Sequence, residues 1–131
     1  QSSWSLRPWL LLRMAGVPFD EQEHAFMEDK AAQRAAWRSV SPTSKLPVLH
    51  DNGLIIWDSL AICLYLAERY PQMLPENAAA RAWSYCAAAE MHAGFTELRM
   101  QCPFRITPAE QPTVPNVPLW LSAARGTSRE G

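Results

Sequence analysis

Two short apolar runs, Leu46–His50 and Leu54–Trp57, flank Asp51-Asn52-Gly53 and lead straight into Asp58-Ser59. Asn-Gly supplies the positive φ angles of a tight turn, so this stretch is constrained to a β-hairpin. Asp58 then offers a side-chain oxygen to the first turn of a helix, which runs to Tyr70 and ends at Pro71. Leu60, Ile62, Leu64, Leu66 and Ala67 make that helix apolar on most sides, as suits a helix packed on a sheet. Pro47 opens the first strand. A strand proline sits at an edge or a first position because it cannot donate to a ladder. The backbone groups beside it are therefore free for a partner other than the sheet.

The rest of the chain fits around this unit. Residues 2–14 read as a helix, with Ser3 or Ser5 as cap, Pro8 in the first turn and Gly16 as the stop. Residues 19–26 are predicted to form a strand, placed at an edge by the polar centre from Asp20 to His24. Residues 29–38 form a short alanine-rich helix, and 72–76 a linker. Residues 77–99 carry the longest helical signal, rich in alanine and free of proline. Residues 103–118 hold five of the eleven prolines and are expected to be irregular. A strand is expected ahead of the first helix, and no core-forming segment follows Trp120. The sequence therefore reads as part of a longer protein.

Composition narrows the function classes. With 12 Lys and Arg against 13 Asp and Glu, the net charge of −1 gives no basic surface for nucleic acid or an anionic membrane. The longest apolar runs, such as Leu10–Leu12, are far too short to span a bilayer, and no secretory signal is visible. Cys63, Cys86 and Cys102 form no CxxC pair and suit a reducing, cytoplasmic setting. His24, His50 and His92 fall in different elements, so no metal site is expected. Trp83, Met91 and Phe95 recur at helical spacing and read as core or as a dimer face.

Three motifs together resemble the N-terminal domain of the cytosolic glutathione transferases: SSWSLRPW at 2–9, SPTSKLPVL at 41–49 and WDSLAI at 57–62. Their order and spacing match that family over residues 2 to 100. The serine-first helix is most similar to the zeta group, the maleylacetoacetate isomerases, and related bacterial members. The resemblance implies an α/β thioredoxin-like fold of order βαβ-α-ββα, with its first strand missing from this sequence, followed by the start of an all-α domain. The glutathione-binding domain would occupy residues 1–71 and the helical domain residues 77–131.

The same resemblance implies roles. Ser2, with Ser3 and Ser5 as rivals, would donate its hydroxyl to the glutathione sulfur, with Trp4 beside it. A hydroxyl donor and the positive end of a helix both favour thiolate. Each unit of pKa depression corresponds to about 1.4 kcal/mol of thiolate stabilisation. Pro47 would be cis, turning the Leu46 backbone towards the cysteinyl unit. Asp58 and Ser59 would hold the γ-glutamyl end, Asp58 taking the ammonium and Ser59 the carboxylate. Asp replaces the family's commoner Glu and is shorter by one methylene. Lys45 would neutralise the glycyl carboxylate. Glutathione would be the co-substrate, a small electrophile the second substrate, and the complete protein a homodimer. The alternatives are a glutathione-dependent isomerase and a non-catalytic binding or assembly module.

Overall fold

In the computed structural model, residues 2–102 are described. The hairpin forms where the sequence places it. β1 (Val48–Asp51) pairs antiparallel with β2 (Leu54–Trp57), with Val48 opposite Trp57 and Asp51 opposite Leu54. Asn52 and Gly53 close the turn with φ of 49° and 81°, the doubly positive conformation that glycine tolerates without strain.

Four helices belong to the same compact unit as this ribbon. α1 (Ser3–Met14) and α3 (Ser59–Arg69) meet through Leu12, Ile62 and Leu66, the buried centre of the core. Leu49 and Ile56 of the hairpin, Val17, Phe19 and Tyr70 complete it. α2 (Lys30–Trp37) is capped by Asp29, whose carboxylate accepts from the Ala31 and Ala32 N–H groups. A 3₁₀ turn at Pro71–Met73 follows α3 and leads to α4 (Ala78–Ala93), capped by the Asn77 side chain. A separate compact unit begins at Phe95 and includes α5 (Thr96–Gln101).

Four local expectations are corrected. Residues 19–26 form no strand. Pro18 lacks an N–H, and no strand among the described residues lies alongside to complete a ladder. Phe19 instead packs on the core, and Glu21 accepts a hydrogen bond from Trp9 Nε1 at 3.0 Å. A groove of about 580 Å³ lies between this segment and β1, with Leu12, Leu49, Ile62 and Leu66 in its wall. The cap of α1 is Ser2, not Ser3 or Ser5, which lie inside the helix. Pro8 sits beyond the first turn, buried, and there it removes an N–H that the Trp4 carbonyl would have accepted.

The fourth correction concerns 77–99, which is not one helix. α4 ends at Ala93, and Gly94 turns extended with its N–H 2.7 Å from the Glu90 carbonyl oxygen. A Cβ on Gly94 would lie 2.8 Å from that oxygen, so only glycine fits the break. Phe95 follows at φ 63°. The proline-rich expectation for 103–118 lies outside the described residues. No described helix is long and apolar enough to cross a membrane.

Candidate functional site

The site grows from the loop before β1 and the start of α3. Ser41 is fully buried; its Oγ lies 3.3 Å from Thr43 Oγ1 and accepts from the Lys45 N–H at 3.4 Å. His50 Nε2 anchors the same loop to the Val40 carbonyl at 2.8 Å. This bracing fixes Lys45 and Leu46 ahead of the Leu46–Pro47 bond, which is cis.

On the facing side, Asp58 caps α3. Its Oδ1 accepts from the Leu60 and Ala61 N–H groups at 2.9 and 3.4 Å. The residue holds φ 74° and ψ 132°, a region costly for any side chain and tolerated where surrounding structure imposes it. Ser59, next in sequence, is 2% exposed, and its hydroxyl is buried without a hydrogen-bond partner. Buried hydroxyls are normally satisfied, so one that is not, at a helix start, is a vacant donor.

Trp4, Lys45, Leu46, Pro47, Asp58 and Ser59 all line one cavity of about 510 Å³. Ser2 and Ser3 are not among its lining residues, and Ser5 lines the second groove. Ser2 stands at the N-cap of α1 in extended conformation, and its hydroxyl makes no capping bond. The cavity thus presents a cation at Lys45, an anion at Asp58 and an unpartnered hydroxyl at Ser59. It suits a zwitterionic ligand bearing both carboxylate and ammonium.

Residues 1–69 match the family model for the glutathione S-transferase N-terminal domain. The chain belongs to the glutathione S-transferase family. Among its relatives is glutathione S-transferase 1 of Dianthus caryophyllus, 41% identical over 89 residues, which are 66% of this chain and 40% of that protein. Glutathione S-transferase GstA of Escherichia coli O157:H7 is 32% identical over 102 residues, 72% of this chain and 51% of its own. Glutathione S-transferase Z1 of Arabidopsis thaliana is 35% identical over 60 residues, 44% of this chain and 27% of the plant protein. The chain therefore spans about half or less of these transferases. No solved structure matches it.

Sequence reasoning about this family member missed three lining residues, Thr43, Trp57 and His92. Thr43 and Trp57 lie inside the quoted motifs and were within reach. His92 was not: it arrives from α4, and nothing in its own neighbourhood marks it. Among the described residues, no three His, Cys, Asp or Glu side chains are grouped to hold a metal.

Proposed function

We propose that this chain is the glutathione-binding part of a glutathione transferase that activates the thiol for attack on a small electrophile. The carrying observation is the buried, unpartnered Ser59 hydroxyl beside Asp58, with Lys45 in the same cavity. Ser59 and the α3 N-terminus take the γ-glutamyl carboxylate. Asp58 takes the ammonium, Lys45 the glycyl carboxylate and the Leu46 backbone the cysteinyl unit. Ser2 donates to the sulfur; that its hydroxyl is not spent on capping supports this role. In the reaction the thiol loses its proton, sulfur forms a bond to the electrophilic carbon, and the leaving group departs with its electron pair. A glutathione-dependent isomerase of the maleylacetoacetate type would use the same thiolate.

The wider reading follows from the family. Residues 1–71 form the glutathione-binding domain, and 77–131 begin an all-helical one that completes the electrophile pocket and the homodimer. The thioredoxin-like order βαβ-α-ββα requires a strand beside β1. The groove between β1 and residues 17–22 supports that placement.

Glutathione titration of the chain, followed by tryptophan fluorescence, tests the proposal, since Trp4 and Trp57 line the cavity. Saturable quenching is expected. Ser2→Ala is expected to raise the pKa of the bound thiol, read by thiolate absorbance, by about one unit, equivalent to about 1.4 kcal/mol, with affinity little changed. An unmoved thiol pKa transfers the role to Ser3 or Ser5. A folded chain that does not bind glutathione would instead be a non-catalytic module.

A further inference from the structure

α4 contributes one side chain to the cavity, His92, from outside the segment that the family match covers. Its Nε2 lies 3.3 Å from Asp58 Oδ2. Its Nδ1 is buried without a hydrogen-bond partner. A proton on Nδ1 would be a buried N–H with no acceptor, so the neutral ring carries its hydrogen on Nε2, facing the carboxylate. The indole of Trp4 meets the ring edge-on, 5.3 Å between centroids at 77°, and Arg7 stacks over that indole at 4.2 Å. The imidazole is thus wedged between α1 and the start of α3.

The two oxygens of Asp58 have different surroundings. Oδ1 is taken by the first turn of α3, whereas Oδ2 faces His92. The side chain is 47% exposed, so packing alone does not fix that second oxygen. A carboxylate recognises an ammonium best when its oxygen is held in place before the ligand arrives, because ordering it on binding costs affinity.

We infer that His92 is a positioning residue for an ammonium subsite: it holds Asp58 Oδ2 towards the cavity and so selects ligands with a free α-amino group. The inference rests on the glutathione reading above and names how its amino-acid end is recognised. The Nε2 contact leaves a second lone pair on Oδ2 for the ammonium. Trp4 keeps the imidazole from following the ligand. His92 acts in this arrangement through its contact with Asp58.

The test compares two ligands across variants of the full chain by calorimetry. One ligand is glutathione. The other is glutaryl-cysteinyl-glycine, identical except that hydrogen replaces the α-amino group. Wild type is expected to prefer glutathione by about tenfold, the scale of one charge-assisted hydrogen bond. His92→Leu should reduce that preference to within about twofold, since the carboxylate is no longer aimed. His92→Gln, whose amide nitrogen reaches the place of Nε2, should keep most of it. His92→Asn, whose amide ends near the place of Nδ1, should lose it, so the decision does not depend on the leucine variant folding.

An unchanged preference in His92→Leu and His92→Asn would overturn the inference. So would equal weakening of both ligands, which is the signature of lost packing on Trp4. Equal binding of both ligands by wild type would remove the ammonium subsite while leaving the glutathione site intact. Binding of neither by folded wild type would overturn the glutathione reading itself, and the inference with it.

Discussion

At the C-terminal end of α3, three polar groups satisfy one another; at its N-terminal end, a buried hydroxyl satisfies nothing. Tyr65 donates to Asp51 Oδ2 at 2.8 Å, and Arg69 Nη1 donates both to that oxygen and to the Tyr65 hydroxyl, the latter at 2.9 Å. The hydrogen bond to Tyr65, then the Asp51 charge, raise the Arg69 pKa above its usual value. This cluster ties the turn end of β1 to the helix. Asp58 and Ser59 stand at the opposite end of this eleven-residue helix, where the Ser59 hydroxyl lacks any partner and the Asp58 backbone holds a costly φ. A satisfied cluster stabilises the fold without needing a ligand. An unsatisfied one costs stability until something binds, and the two ends should therefore answer mutation in opposite ways.

The largest expected effect breaks the ligand end. Ser59→Ala removes a donor that the folded chain does not use. Stability should hold or rise slightly in a denaturant titration, because a buried unpaired hydroxyl is gone. Glutathione affinity should fall by about 1.5–3 kcal/mol, the range for a hydrogen bond to a charged group. A loss of stability with unchanged affinity would mean that the two ends of α3 have been assigned the wrong way round.

Tyr65→Phe is the reciprocal experiment, with a smaller expected effect. The ring, packed against the core cluster, stays, and only the hydroxyl between Asp51 and Arg69 is lost. Stability should drop by about 1 kcal/mol, the net worth of one ordinary hydrogen bond. The dissociation constant for glutathione should not move. A weakened site would show that the clasp transmits its order along α3 rather than holding the hairpin alone.

The two ends were not equally legible in the sequence. Asp58 and Ser59 announce themselves by local rules, since a cap and the residue after it act within one turn. The hairpin is legible for the same reason: Asn52-Gly53 fixes the turn, and the turn fixes the register. The clasp joins residues 14 and 18 positions apart, a separation that no local pattern encodes. His92 is further still. The strand expected at 19–26 fails for a related reason. Phe19 and Phe26 around a polar centre suggest an edge strand, but a ladder needs a neighbour, and residues 19–26 have none among the described residues. Gly94 was readable as a stop, yet high helical propensity on both sides outweighed a single glycine whose close approach to Glu90 only the fold reveals.

The smallest expected effect reads the electrostatic difference between the two ends through a group that serves neither. Cys63 lies one turn after Ser59 on α3. Burial raises its thiol pKa most, the Arg7 charge opposes this, and the Asp58 charge adds to the rise. A thiol held above its unfolded value keeps its proton longer in the folded chain. That contribution is fully present below the ordinary thiol pKa and is lost as pH rises through the folded one. Cys63 should accordingly react with iodoacetamide more slowly than the exposed Cys86 at any pH below that range. Asp58→Asn keeps a capping side chain but removes the charge, so Cys63 should titrate lower and label faster, as followed by mass spectrometry. Asp51→Asn, at the far end, should leave its labelling profile where it was. Equal responses to the two substitutions would mean that Cys63 senses the helix as a whole, and the charge at Asp58 would lose its standing as the feature that sets the ligand end apart.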